Sequence, residues 1–336
     1  MDITKTIRLI AGFGVLIFAS GVFADGWDPN SKAGDQGSIA NTRHNMTMSY
    51  SPFAIQMTVS ARNDYGAVCV YCHTPHGANA QIDAPLWNRT VANSSVYQVY
   101  DAPTTLMRTV SAPGPTSLTC LSCHDGTIAI DSVLNMPGSG WEPSGAAGTN
   151  TAVGSSNQAF LDGWTAVYPS LGPEAGRHAT LGPDLGGGED ARPDNTCAFC
   201  HNNDYSVGNF RAFMLGTDLR NDHPVGVLYP DAAGVDGGFF NAPNVALPGN
   251  MAFFDTNGNN RADPDEVRLY DSGEGYEVEC ASCHDPHGVP SGGSGTNTRF
   301  SPSFLRVNNG IGANHTGNDG IVSNGPSALC LTCHTK

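Results

Sequence analysis

Basic residues are scarce in this chain: Lys and Arg number 16 against 31 Asp and Glu, which gives a formal net charge of −15. A protein that binds nucleic acid needs a basic face to neutralise phosphates, so this balance argues against that class. Charged residues of either sign make up only 14% of the chain. The excess of acidic charge is typical of a soluble secreted protein whose charges solvate its surface.

Long apolar runs are also missing, with one exception near the N-terminus. Lys5 and Arg8 precede an apolar run from Leu9 to Phe18, and small residues follow up to Ala24. This order is typical of a secretory signal peptide cleaved after Ala24. A membrane anchor is the alternative, but the run is short for a bilayer span. The residue directly after the cleavage point is not a cysteine, so we expect no lipid anchor. We predict a secreted protein, extracellular or at the cell surface, or alternatively periplasmic.

No cysteine lacks a partner in the sequence. The ten cysteines form five pairs with two residues between the members, and a histidine follows every pair. C-x-x-C-H is the attachment signature of c-type haem, in which both thiols bond to the porphyrin and the histidine binds the iron. The predicted thioether residues are Cys69, Cys72, Cys120, Cys123, Cys197, Cys200, Cys280, Cys283, Cys330 and Cys333. The predicted proximal iron ligands are His73, His124, His201, His284 and His334.

Two other uses of cysteine compete with this interpretation. Five disulfides would consume all ten thiols in an exported protein, but they do not explain the histidine after every pair. Zinc ribbons also use C-x-x-C, but two pairs supply the four ligands of one ion, and five pairs leave one unmatched. The pattern therefore predicts five covalent haems.

The composition offers little material for long helices or sheets. Gly (41) and Pro (22) are abundant, and continuous apolar segments are few. Five large apolar porphyrins would supply the missing buried surface. We therefore predict mostly irregular coil with short α-helices wrapped around stacked covalent haems, with little β-structure and no conventional core.

Six histidines remain after the proximal ones, one more than a second ligand for every iron requires. Methionine is an alternative axial ligand, but none of the eight recurs at a fixed offset from the motifs. The predicted distal ligands, one of them spare, are His44, His76, His178, His223, His287 and His315.

Two of these, His76 and His287, lie three residues after a proximal histidine. Three extended residues span at most about 11 Å, too little to pass around a porphyrin to the other face of the same iron. Each must therefore reach a neighbouring haem, so each C-H-x-P-H stretch is a bracket joining two haems. The simple pairing gives His76 to the iron of His124 and His287 to the iron of His334; alternatively, one bracket reaches another molecule.

The remaining distal candidates are assigned by their position along the chain. His223 follows the third motif and is predicted for the iron of His201, and His44 is predicted for the iron of His73. His178 or His315 would then serve the iron of His284.

The motifs also repeat as pairs. Cys120 follows Cys69 by 51 positions and Cys330 follows Cys280 by 50, so residues 64–131 and 276–336 resemble two copies of one two-haem module. The predicted domains are a signal peptide (1–24), an N-terminal two-haem module (25–136), a Gly/Pro-rich cysteine-free excursion (137–194), a middle haem segment (195–271) and a C-terminal two-haem module (272–336).

The segment DTNGNNRADPDE has the ligand spacing of an EF-hand calcium loop, with oxygen side chains at positions 1, 3, 5, 9 and 12 and a main-chain carbonyl at position 7. Position 6 is Asn260 instead of glycine, and asparagine tolerates left-handed backbone better than most residues. The alternative is a polar turn without metal. The predicted calcium ligands are Asp255, Asn257, Asn259, Arg261, Asp263 and Glu266.

Several segments resemble the multihaem outer-surface cytochromes of metal-reducing bacteria: VCVYCHTPHGA, APLWNR, CLSCHDGT, NDHPVG and CASCHDPHG. The likeness is in particular to the extracellular cytochrome-nanowire family with OmcE- and OmcS-type subunits, and it covers most of residues 41–131 and 197–336. The resemblance implies bis-histidine haems in a continuous stack and polymerisation into filaments. It also implies that a histidine of the next subunit completes one haem, here His44 or His76. This chain differs from those types in carrying five motifs.

The motifs predict an electron conduit in preference to an enzyme. All five keep their histidine, and the distal histidines suffice to make every iron six-coordinate, which leaves no iron open for chemistry. The alternatives are a monomeric periplasmic electron shuttle and a multihaem reductase with one open iron. The expected partners are further copies of the chain in a filament and redox-partner cytochromes, with no nucleic acid and no membrane span after signal removal.

Overall fold

The computed structural model describes residues 39, 42, 44–46, 65, 67–100, 108–135, 180–182, 213–222, 224–230, 239–289, 301–307 and 327–335. Several predicted features lie outside these residues. They are the signal peptide, nearly all of the 137–194 excursion, the third motif (Cys197, Cys200 and His201) and the distal candidates His178, His223 and His315.

Five short strands form one antiparallel sheet in the described part of the chain. They are β1 (Val227–Leu228), β2 (Val245–Leu247), β3 (Met251–Phe253), β4 (Arg268–Asp271) and β5 (Tyr276–Val278). Their order across the sheet is β1-β5-β4-β3-β2, so β1 alone stands out of chain order, with Val227 opposite Val278.

Proline and glycine make the turn between β2 and β3. Gly249 has φ +74°, which a type II turn requires at its third residue, and Pro248 occupies the second position, where proline is favoured. The N–H of Asn250 donates to the carbonyl of Leu247 at 3.0 Å and closes the turn. The hairpin therefore follows from local turn chemistry.

One buried side-chain cluster packs on this sheet. Its members are Tyr229, Ala252, Phe254, Val267 and Leu269. Ala252 and Leu269 lie directly opposite each other on neighbouring strands and are fully buried. Leu329 and Cys333, near the C-terminus, pack against the cluster. The sheet thereby supports the fifth motif.

The prediction of little β-structure and no conventional core is wrong for this region. The strands are only two to four residues long, so no long apolar run is needed to build them. Glycine, whose abundance suggests irregular coil, supplies turns between strands: Gly273 and Gly275, between β4 and β5, have φ +98° and +135°. A sheet of short strands is compatible with a composition that excludes a sheet of long ones.

The described helices are short. The α-helices are α1 (Pro115–His124), α2 (Cys280–Cys283) and α3 (Ala328–Cys333). The 3₁₀ helices are Val68–Tyr71, Ser94–Val96, Leu219–Asn221 and Pro302–Phe304. Within the described ranges, none of these helices has the length and apolarity to cross a bilayer.

Strand β5 leads directly into α2, and buried hydrogen bonds tie α2 to α1. Glu279 lies between β5 and α2, and its carboxylate accepts hydrogen bonds from the Gly114 N–H at 3.0 Å and from the Ser117 hydroxyl. The Cys280 N–H donates back to the Ser117 oxygen at 2.9 Å. The sheet and these contacts hold the second and fourth motifs side by side.

Candidate haem sites

The four described C-x-x-C-H motifs all lie on helical turns. The first begins on the 3₁₀ helix Val68–Tyr71, which contains Cys69, and the others lie on α1, α2 and α3. At three motifs the main-chain N–H of the histidine donates to the carbonyl of the first cysteine, at 2.8 Å for His73, 3.1 Å for His284 and 2.8 Å for His334. Side chains three and four positions apart share one face of a helix. Two thiols and one imidazole therefore project together, as covalent haem attachment requires.

The eight described cysteines are free thiols in this structure. Burial raises the pKa of Cys72 to about 12, of Cys283 to about 11 and of Cys333 to about 12. Within the described ranges, no three side chains of His, Cys, Asp or Glu are grouped to hold a bare metal ion. Burial thus favours the protonated thiol at Cys72, Cys283 and Cys333.

Four histidines direct one ring nitrogen, Nδ1, at a main-chain carbonyl. The Nδ1-to-oxygen distances are 2.8 Å from His44 to Pro286, 2.8 Å from His73 to Pro85, 2.7 Å from His124 to Phe213 and 2.7 Å from His284 to Ser303. A carbonyl oxygen only accepts, so each Nδ1 carries a hydrogen and donates it. In a neutral ring this leaves the lone pair of Nε2 free for a metal, the usual arrangement of histidine ligands.

Burial favours the neutral form of these rings. It lowers the pKa of His44 to about 4. It also lowers the pKa of His73 and of His124, although the hydrogen bonds to carbonyls oppose the effect. Metal binding requires neutral imidazole, so these rings are in the form that an iron would need at neutral pH.

Two proximal histidines each face a distal candidate. The ring centres of His44 and His124 are 6.2 Å apart with planes at 74°, and those of His73 and His287 are 6.2 Å apart with planes at 17°. A transition metal lies about 2 Å from an imidazole nitrogen, and with ring radii of about 1 Å this places two axial rings about 6 Å apart. Both pairs have the spacing that one iron between two imidazoles would give.

This arrangement differs from the predicted pairing. The sequence predicted that His44 would pair with His73, but His44 faces His124. It predicted that His287 would pair with His334, but His287 faces His73. The short stretch that carries His287 contacts both pairs, because the neighbouring Pro286 carbonyl accepts the Nδ1 hydrogen of His44. The sequence repeat gives no information about how the two modules dock, so it could not reveal this exchange.

The remaining described histidines of the predicted set occupy different surroundings. His334 lies against Phe240, with ring centres 4.9 Å apart. His76 is exposed, its carbonyl accepts from the Thr74 hydroxyl at 2.8 Å, and none of the described rings packs on it. His76 is therefore not brought to His124, its predicted site.

A short segment that the sequence did not reveal lies beside each of three motifs. We call these segments straps; they are residues 85–88 at the first motif, 303–306 at the fourth and 239–241 at the fifth. The N–H groups of Asn88, Arg306 and Asn241 donate to the second cysteine's carbonyl at 2.8, 2.7 and 2.8 Å. The side chains of these three residues donate to the carbonyl after the first cysteine, at 2.7, 2.9 and 3.0 Å. Each strap therefore fixes the turn that presents the thiols.

The first two straps share an unusual backbone conformation. Leu86 has φ +51° and Phe304 has φ +59°, values that are rare for residues other than glycine. The carbonyls of the preceding residues, Pro85 and Ser303, receive the Nδ1 hydrogens of His73 and His284. Strained backbone of this kind often marks functional sites. The only sequence signal is the weak similarity between PLWN and SFLR.

The described motifs are neighbours in space. A hydrogen bond between Cys120 and Cys280 raises the pKa of Cys120 and lowers that of Cys280. Burial is the main cause of the raised pKa of Cys72 and of Cys333, and the nearby thiols of Cys123 and Cys283, respectively, raise these two pKa values further. The order in space is therefore first, second, fourth and fifth motif, with the third outside the described residues.

The predicted calcium loop has the turn that its sequence suggests. Asn260 has φ +58°, the left-handed conformation that glycine supplies at position 6 of an EF-hand. The Asp255 carboxylate accepts the N–H groups of the four residues 257–260. The amides of Asn257 and Asn259 both donate to Asp263 Oδ2, at 2.8 and 2.6 Å. Glu266 is buried and accepts from the N–H groups of Thr256 and Asp263.

Known proteins give no family for the chain: no protein-family model matches it, and no curated protein is significantly similar. The function proposed next therefore depends on the contacts among the motifs, the straps and the facing histidines.

Proposed function

We propose that the protein is a pentahaem c-type cytochrome that carries electrons along a chain of bis-histidine haems. The observation that carries this proposal is the pair of facing-histidine contacts, each with ring centres 6.2 Å apart. In three of these four rings Nδ1 donates to a carbonyl, and in His287 it lies 3.2 Å from the Asp285 carboxylate. All four rings thus have Nε2 free to ligate one iron between each pair.

Haem c would supply an iron that takes up and releases one electron without a change of ligands. The chain's own residues would hold and orient it. The cysteine pairs would bond the porphyrin, and the motif histidines would bind the iron. The strap carbonyls of Pro85 and Ser303 hold the rings of His73 and His284 by hydrogen bonds. At two sites His44 and His287 would supply a second imidazole, and an iron with two imidazoles would have no position open for substrate.

The spatial order of the motifs supports electron transfer along the chain. Thiols of successive motifs interact directly, and α1 and α2 are joined through Glu279 and Ser117. Attachment points this close would place neighbouring cofactors near each other. A soluble reductase would instead require one iron with an open face.

An electrochemical titration tests the conduit. The purified protein should take up five electrons per chain, and its oxidised form should contain only low-spin iron. If about one iron in five is high-spin in the untreated oxidised protein, the reductase with an open iron is the better description. Uptake of fewer than five electrons would contradict the pentahaem assignment.

We further propose that the secreted protein polymerises into an extracellular filament through a shared histidine. His44 faces His124 within the chain, whereas His76 is exposed, so His76 is the better of the two candidates for a ligand given to another copy. His76→Ala should abolish filaments in electron micrographs of secreted material while five haems stay attached. Filaments of normal length from His76→Ala would contradict the shared-ligand assignment and leave the electron-transfer proposal intact. Particles that stay monomeric in the wild type would favour the periplasmic shuttle.

We also propose that residues 255–266 bind a structural calcium ion. Support comes from the left-handed Asn260 and from the burial of Glu266 at position 12. The loop connects β3 to β4, so an ion there would stiffen the sheet that leads into α2. Its chemistry would be structural and separate from electron transfer.

A further inference from the structure

A fully buried arginine lies between the first two motifs. Arg89 has no exposed surface, and its five N–H groups all donate to neutral oxygens. The acceptors are Ser122 Oγ (3.2 Å) and the carbonyls of Ser122 (2.8 Å), Ala129 (2.8 Å), Ile130 (2.8 Å) and Ser132 (2.9 Å). Every hydrogen-bond donor of the guanidinium has an acceptor, but none of these acceptors is negatively charged, whereas buried cations are usually paired with an anion.

The position of Arg89 relates it to both motifs. Ser122 lies between the two cysteines of the second motif, and Asn88, the neighbour of Arg89, is hydrogen-bonded to Val70 and Cys72 of the first. Arg89 therefore lies beside the first motif as well as the second.

Two other arginines in the described residues are paired with carboxylates. Arg306, at the fourth motif, lies 3.1 Å from the buried carboxylate of Asp285. Arg220 is exposed and lies 2.7 Å from Asp218. Arg89 forms no ion pair with a described Asp or Glu, and Asp131, buried on the same loop as its carbonyl partners, is not among its acceptors. Arg89 thus differs from Arg306 in having no carboxylate among its hydrogen-bond acceptors.

We propose that Arg89 is a positioning residue whose fixed buried charge raises the reduction potentials of the haems at the first and second motifs, an inference that rests on the proposed function. Reduction adds one electron to each iron and neither forms nor breaks a bond. A nearby positive charge stabilises the state with the extra electron. Since all five donors are engaged by protein oxygens, Arg89 acts through its field and not by hydrogen bonding to the cofactor.

The test is a spectroelectrochemical titration of the full chain. In Arg89→Gln two of the five haems should become harder to reduce. Their ferrous-to-ferric ratio at a fixed electrode potential should fall roughly tenfold, which for a one-electron couple is a shift of about 59 mV in reduction potential. Loss of one charge about 10 Å away in a medium of dielectric about 20 has an effect of this order. Arg220→Gln removes the same charge at an exposed site and should change the ratio less than about twofold.

A haem count and the melting temperature accompany each titration. If the wild type lacks attached haem, the proposed function itself fails. If Arg89→Gln keeps five haems and titrates as the wild type or as Arg220→Gln does, the proposed role of Arg89 is overturned. If Arg89→Gln does not attach five haems, Arg89→Lys decides, because it keeps the charge and loses most of the hydrogen bonds. A ratio within about threefold of wild type then supports the charge, and a larger fall overturns it.

Discussion

Removing His287 should open one iron in five. Among the described residues, His287 faces one proximal histidine, His73. The chain has five motifs, so His287→Ala should convert about one fifth of the iron from low-spin to high-spin. The side chain is more than half exposed, so its loss should leave the fold intact and open a site that solvent can reach. Added imidazole should refill that site and restore the low-spin spectrum.

Low-temperature electron paramagnetic resonance can show which iron is affected. The rings of His73 and His287 are nearly parallel, at 17°, and those of His44 and His124 are nearly perpendicular, at 74°. Parallel axial imidazoles give a rhombic low-spin ferric signal, and perpendicular ones give a strongly anisotropic signal. His287→Ala should therefore remove a rhombic signal, and His44→Ala an anisotropic one.

The two variants are controls for each other, because each removes one imidazole from a different pair. The reasoning is refuted if both variants lose the same signal. It is refuted equally if neither forms high-spin iron while five haems remain attached. Restoration of His287→Ala by imidazole without a change in the anisotropic signal would confirm the pairing.

Two further predictions concern stability. Burial raises the pKa of Glu279 from 4.5 to about 7. Between these pH values the folded state holds a proton that the unfolded state releases. The stabilisation that is fully present below about pH 4.5 is therefore lost as the pH rises through about 7. The decline in the free energy of unfolding of the wild type, up to roughly 3 kcal/mol, should be absent from Glu279→Gln in chemical denaturation measured from pH 5 to 8. If the unfolding free energies of variant and wild type change with pH in parallel, the raised pKa of Glu279 is disproved. Calcium should stabilise the folded wild type relative to EGTA by about 1.4 kcal/mol for each tenfold excess of calcium over Kd, measured as a higher melting temperature. Calcium should have no effect on the melting temperature of Asp263→Ala. Identical wild-type melting in calcium and in EGTA would rule out the loop as a calcium site.

The local chemistry of the motifs could be predicted from sequence because it depends on residues close together in the chain. The spacing of two cysteines and a histidine matches one helical turn, and the structure has such turns at the four described motifs. Asn260 at the sixth loop position has the left-handed backbone that its residue type allows. The LPGN turn between β2 and β3 was equally readable, but the global Gly and Pro content obscured it.

The long-range arrangement could not be predicted in the same way. The contact of His287 with His73 joins residues more than two hundred positions apart, and it depends on how two similar modules dock. The straps were hidden because Leu86 and Phe304 adopt a backbone conformation that neither residue type favours. Arg89 gives no sign in the sequence that all its donors are buried against neutral oxygens.

Covalent haem is the claim on which the rest depends, and a pyridine hemochrome titration of the purified, denatured protein tests it most directly. The account predicts five equivalents of thioether-linked haem per chain, one for each C-x-x-C-H motif. No haem iron, with the ten cysteines recovered as disulfides or bound to zinc, would contradict it.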